Sequence, residues 1–202
     1  MTESDNRDQL HPAAVGCSGT TTRIALRVEY NGAKFSGWQK QKSPLLATVQ
    51  GALELALSKV ADSTIVVVCA GRTDSGVHAK EQSAHFDCKK EIQNLDKFLK
   101  SINHFVNDMY VSVINIKKKN LNFHARFSAK QRIYKYIIFN RLSRPSIEKE
   151  RGWHIIKVLD ISLMKKGAKK LLGTKDFSTF RSSSCNAKSP IRTMKSIKIK
   201  SI

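Results

Sequence analysis

Acidic side chains are in short supply. Sixteen Asp and Glu stand against thirty-six Lys and Arg, so the 202-residue chain carries a formal charge of +20. An imbalance of that sign and size favours a polyanionic partner, nucleic acid foremost. No apolar stretch approaches the ~18 residues that a bilayer-spanning helix needs. Also missing is a basic amphipathic helix with large apolar groups opposite its lysines, the pattern of a membrane-surface protein. The start, MTESDNRDQL, is too polar for a signal peptide. Cysteine is sparse and scattered. Cys17, Cys69, Cys88 and Cys185 form no C-x-x-C pair, which argues against zinc and against a disulfide framework and fits a reduced cytoplasm. There is no P-loop, dinucleotide fingerprint, H-E-x-x-H or Ser-His-Asp context. His78, His85, His104, His124 and His154 are dispersed and read as structural rather than as ligands.

What is there is a globular composition, 41% hydrophobic and long enough for one or two domains. Residues 1–22 are polar, with Glu3, Asp5 and Asp8 against Arg7, and read as a flexible extension. Without them the remainder stands at +22, so the basic character belongs to the folded part. Ile24, Leu26, Val28 and Tyr30 alternate with polar or small residues as in a half-buried strand. Thr48 caps a helix whose face carries Val49, Ala52, Leu53, Ala56, Leu57 and Val60. Ile65–Cys69 reads as a buried strand, and Gln82–Asp87 as another. Leu95, Phe98, Leu99, Ile102 and Phe105 mark a second helix, and Met109–Ile116 a further strand. Strand, helix, strand, strand, helix, strand is the ferredoxin-like split pattern. It predicts an α+β fold with an antiparallel-rich mixed sheet and helices on one face. The domain boundaries expected are residues 23–140 for this unit and 141–202 for a second, incomplete one. In the latter, Gln131–Asn140 leads in as a strand, Asp160 caps a helix closed by Gly173, and Met194–Ile202 alternates as a strand. From Leu163 onward eleven Lys and Arg face one acid, Asp176.

Four stretches carry candidate chemistry. In Gly71-Arg72-Thr73-Asp74-Ser75-Gly76 two glycines bracket a carboxylate two residues after an arginine. An acid on a tight loop at a strand end, beside a cation, suits a nucleophile. The same residue types also build ordinary turns. Phe123-His124-Ala125-Arg126-Phe127 interleaves aromatics with Arg and His, a mixture that stacks on bases and pairs with phosphates and that also arises by chance. Trp38, amid Lys, Gln and Gly, is either a stacking platform or a loop aromatic packed on the core. Tyr134 and Tyr136 share a strand face, as core residues or as stacking partners beside a site.

Together these segments resemble the tRNA pseudouridine synthase TruA family. The resemblance is carried in family order by Tyr30-Asn31-Gly32, Phe35-Ser36-Gly37-Trp38-Gln39, Thr48-Val49-Gln50-Gly51 and Gly71–Ala79. It continues through Phe123–Ala129, Arg132-Ile133-Tyr134-Lys135-Tyr136 and Asp176–Arg181. It implies a pseudouridine synthase fold and isomerisation of uridine to pseudouridine at positions 38 to 40 of the tRNA anticodon arm, without cofactor or metal. Asp74 matches the nucleophile, Arg72 the arginine that holds the flipped nucleotide, and Tyr134 the tyrosine on the uracil ring. Phe123, His124, Ala125, Arg126 and Phe127 match one RNA contact. Asn186, Ala187, Lys188, Ser189 and Pro190 match a second. A cytoplasmic homodimer gripping tRNA is implied, with no membrane and no small-molecule cofactor. Family members continue past the point matching Ile202 with a strand, a helix and a basic partner for the aspartate. The alternative implied is therefore a truncated, catalytically inactive tRNA- or RNA-binding protein of the same fold.

Overall fold

The computed structural model describes residues 21–41, 43, 45–181 and 189–201. The expected N-terminal extension lies almost wholly outside them. The chain divides into two compact units, Met1–Tyr134 and Lys135–Ile202.

The first unit runs β1 (Thr22–Tyr30), α1 (Val49–Ala61), β2 (Val68–Cys69), β3 (Ala79–Cys88), α2 (Leu95–Val106) and β4 (Val111–Lys119). Its sheet has the order β2-β3-β1-β4, with every neighbouring pair antiparallel. This is the α+β, antiparallel-rich architecture that the element order implies. Alternation in β1 places Ile24, Leu26, Val28 and Tyr30 on one face. There they join Ala84 and Phe86 of β3, Leu53 and Leu57 of α1, and Ile102 and Val106 of α2 in a single core. The helices therefore cover that face, and Arg23, Ala25 and Arg27 point to the other. Thr48 caps α1 by accepting from the Gly51 N–H at 3.2 Å, and Asn94 caps α2 through the Lys97 N–H at 2.8 Å. Phe105, expected on the buried face of α2, is instead exposed, with the Lys59 ammonium 5.3 Å from its ring centre.

The predicted strand Ile65–Cys69 is shorter than its apolar run. Ile65 and Val67 are buried while Val66 is exposed, the pattern of an edge strand with one covered face, and only Val68 and Cys69 pair with β3. Helix α1 takes the polar groups of Val67 instead. The Val67 N–H donates to Glu54 Oε1 at 3.1 Å, and its carbonyl accepts from Gln50 Nε2 at 3.2 Å. Gln50 and Glu54 are buried for this purpose and bond each other at 2.8 Å. Such a network is tolerated in a core because each member is satisfied.

The second unit holds β5 (Ile138–Asn140), β6 (Trp153–Ile155), α3 (Ile161–Lys170), β7 (Gly173–Asp176) and β8 (Ile191–Met194). β5 and β6 pair in parallel and β7 with β8 antiparallel. Asp160 caps α3 through the Leu163 N–H at 2.9 Å. Three expectations need correction here. Within Gln131–Asn140 only the last three residues form a strand. α3 ends at Lys170, and Gly173, at φ +90°, opens β7 rather than closing the helix. The alternating stretch after Met194 is not a strand, because among the described residues no neighbour pairs with it, and alternation cannot make a strand without a ladder. Pro145 is the one buried residue among the described residues of this unit.

Candidate active site

Asp74 sits in the connection from β2 to β3, and the loop that carries it is held through its backbone on both flanks. The Trp38 N–H donates to the Thr73 carbonyl at 3.0 Å, and the Tyr30 hydroxyl bonds Thr73 Oγ1 at 2.8 Å. Beyond the aspartate, the Ser75 hydroxyl and the Gly76 N–H both donate to the Phe35 carbonyl, at 3.2 and 3.4 Å. The Gly32 N–H donates to His78 Nδ1 at 3.2 Å. At the loop's base, Gln82 Nε2 donates to the Gly71 carbonyl at 2.5 Å and Arg132 Nη2 to the Ala70 carbonyl at 2.7 Å.

The segment doing most of this, residues 30–38, depends on two glycines. Gly37 adopts φ +107°, and a Cβ there would lie 2.9 Å from the Thr73 carbonyl oxygen. A Cβ on Gly32 would overlap the Val77 backbone. Both sites demand the missing side chain, so the loops approach each other backbone to backbone.

Against this fixed frame the Asp74 side chain is exposed and makes no hydrogen bond or ion pair among the described residues. A carboxylate left free on an immobilised backbone is available to a ligand. Arg72 is exposed on the same loop. Burial pushes the Cys69 thiol above its ordinary value, and the smaller opposing influences include the charges of Arg72 and Arg126. Both guanidinium groups therefore lie within electrostatic range of one buried atom at the loop's base. Tyr134 is 65% exposed. Burial also raises the Tyr30 hydroxyl, with Tyr134 among the lesser contributors, which puts the Tyr134 phenol within range of the Tyr30–Thr73 contact.

The Phe123–Phe127 stretch forms a compact turn. His124 Nδ1 accepts from the N–H groups of Arg126 and Phe127 at 3.2 and 3.4 Å, and its ring lies 4.4 Å from that of Phe127. Phe127 is 79% exposed and Ala125 is buried. The Ala125 N–H donates to Nδ1 of His85, at 3.2 Å, on the sheet face away from the helices. Burial, followed by the nearby Arg23 and His124, lowers His85 to about 4. Its ring is then neutral at pH 7, as an accepting Nδ1 requires.

That depression makes an acid-sensitive anchor. Below the unfolded value of 6.5 the unfolded chain binds a proton that the folded chain refuses, so this stability is present above pH 6.5 and lost as pH falls towards about 4. The full effect is about 3 kcal/mol, with roughly 2 kcal/mol lost between pH 7 and pH 5. His85→Asn keeps an acceptor near Nδ1 and removes the titration. Urea unfolding at the two pH values should show the wild type losing about 2 kcal/mol more than the variant; parallel losses would exclude His85.

Of the other expected site residues, Asn186, Ala187 and Lys188 lie outside the described residues. Ser189 and Pro190 fall in the second unit, where the Ser189 hydroxyl oxygen accepts from the Ile191 N–H at 3.1 Å and the Pro190 carbonyl from the Phe177 N–H at 3.2 Å. Trp38 is settled as core, at 1% exposure against Tyr30, and is no platform for a base. Sequence reasoning assigned no role to Tyr30, Gln82 or Arg132. Their support of the loop runs through bonds to its residues, which no local pattern encodes. Among the described residues no three His, Cys, Asp or Glu side chains gather as a metal site, and no helix is long and apolar enough to cross a membrane.

Comparison with known proteins shows the family. The sequence profile described as tRNA pseudouridine synthase matches residues 26–128 and 168–202. A tRNA pseudouridine synthase A of Pelagibacter ubique is 69% identical over 179 residues, covering 89% of this chain and 72% of that protein. The corresponding protein of Janthinobacterium is 44% identical over 188 residues, or 90% of this chain and 68% of the relative. One from a Wolbachia is 42% identical over 177 residues, with 88% and 71% covered. On the strength of these matches the chain belongs to the tRNA pseudouridine synthase family, a family of isomerases.

Proposed function

We propose that the protein converts uridine to pseudouridine at positions 38 to 40 in the anticodon arm of tRNA, with Asp74 acting at the sugar of the target nucleotide. The observation that carries this reading is the contrast at the loop: backbone tied down on both sides of Asp74, carboxylate exposed and without a partner among the described residues. The N1–C1′ bond breaks, the uracil turns, and a C5–C1′ bond replaces it. The C5 proton is lost, N1 regains one, and the product is an isomer of the substrate with no net redox change. The carboxylate serves either by bonding C1′ or by taking a proton from the sugar.

A base inside a helical stem must leave the stack first, at a cost of a few kcal/mol. Arg72 helps hold the target nucleotide out of the stack, and Tyr134 lies against the uracil ring. Arg126, with the exposed Phe127, contacts the RNA backbone and bases, as Asn186–Pro190 do from the second unit. The charge of +20 supplies the sequence-independent attraction to tRNA, and two copies of the chain grip one tRNA in the cytoplasm. Incubation with unmodified tRNA and site-resolved mapping of pseudouridine tests the reading. Product at the three anticodon-arm positions supports it. Salt-sensitive tRNA binding with no product there overturns the catalytic part and favours a binding protein.

A further inference from the structure

The aromatic and basic loop after β4 has no helix or strand of its own, yet its backbone is pinned to the sheet by side chains from two strands. Arg23, near the start of β1, lies opposite Asp87 of β3, and Ala25 lies opposite His85. Period-two alternation puts Arg23, Asp87 and His85 on the same face, away from the helices. The Arg23 guanidinium closes a fork on Asp87, with Nε to Oδ1 and Nη2 to Oδ2 both at 2.7 Å. Its remaining nitrogen, Nη1, turns to the loop and donates to the carbonyls of Leu121 at 2.5 Å and Phe123 at 2.7 Å. His85 then takes the Ala125 N–H. The three anchors fall at residues 121, 123 and 125, immediately before Arg126 and Phe127.

A fork on a carboxylate with two further carbonyl acceptors uses nearly the whole donor set of an arginine, which a lysine cannot reproduce. Asp87 is held below the usual carboxylate range, first by its hydrogen bond to Arg23, so the pair stays ionised at neutral pH. A pair serving only to join β1 to β3 would not need the two loop carbonyls.

We propose that Arg23, clamped by Asp87 and seconded by His85, is a positioning residue that locks the 121–127 loop in the form in which Arg126 meets RNA. This rests on the reading of Arg126 as an RNA contact, and the test separates the two. Arg23→Lys keeps the charge and removes the fork. The KM for tRNA should rise about tenfold, the loss of one good contact, with kcat within about twofold. The slope of log affinity against log salt should fall by about one, as for one phosphate contact. Arg126→Ala should produce the same loss, and the double variant no more than either single one, because the arginine on β1 acts through the one on the loop. Additive losses, an unchanged KM and salt slope in Arg23→Lys, or a fall in kcat alone would overturn the proposal. Full affinity in Arg126→Ala would instead remove the RNA contact on which it stands. Should Arg23→Lys fail to fold, Asp87→Asn, which loosens the clamp and spares the loop, is read through the same cycle with the same outcomes.

Discussion

Asp74→Asn is expected to abolish pseudouridine formation while leaving the protein folded and bound to tRNA. The amide is nearly the same size as the carboxylate and the position is exposed, with no side-chain partner to lose among the described residues. Stability should therefore stay within about 0.5 kcal/mol of wild type. The loop keeps its shape because its bonds run through Thr73, Ser75 and Gly76. What disappears is the negative oxygen, and an amide neither attacks C1′ nor accepts the sugar proton. The rate should fall by about four orders of magnitude or more, as when a nucleophile is deleted elsewhere. Tritium release from labelled tRNA, read beside filter binding, separates the two properties. A tenth of the activity remaining would take Asp74 out of the chemistry.

Trp38→Ala should do the opposite, unfolding much and touching the chemistry only through the fold. Its indole is 1% exposed, among the largest fully buried side chains, and packs against Tyr30 with ring centres 5.9 Å apart. Emptying such a site costs about 3–5 kcal/mol, a large part of the ~5–15 kcal/mol that a domain of this size possesses. The backbone of Trp38 would still donate to Thr73 and still accept from the Gln50 N–H at 3.0 Å, so surviving folded molecules should turn over tRNA. Urea denaturation gives the stability change, and activity normalised to the folded fraction gives the rest. A loss below 1 kcal/mol with a specific loss of tRNA affinity would return Trp38 to the role of a base platform.

The two residues show what could be read in the sequence and what could not. The turn that carries Asp74 was legible because glycines, arginine and acid stand in one short string of residue types that favour a tight loop. Trp38 was ambiguous, since lysine, glutamine and glycine around it suggest a wet loop. What buries it is Gly37, whose positive φ turns the chain inward against Thr73, and the sequence names the glycine but not the turn's target. β2 failed for a different reason. An apolar run announces burial, yet the number of paired residues depends on neighbours, and at this edge Gln50 and Glu54 replaced the ladder. Two polar residues on the buried side of α1 would be scored against burial by any periodicity argument. Arg23 looked like the solvent-facing half of an alternating strand, because its partners are 64 and about 100 positions away.

The clamp on the Asp74 loop also bears on when the protein becomes competent during folding. Its bonds join Tyr30 to Thr73, Phe35 to Ser75 and Gly32 to His78, spans of 43, 40 and 46 residues. Contacts of such separation close only after chain entropy has been surrendered across everything between them, including α1 and β2. No stretch of twenty or thirty residues contains enough of the loop's supports to hold it. The geometry of the Asp74 loop is thus a late property of the nascent chain, absent until β1 and β3 have met. A partly translated or partly opened molecule would keep its positive charge, and with it the attraction to polyanions, but not the shape of this loop.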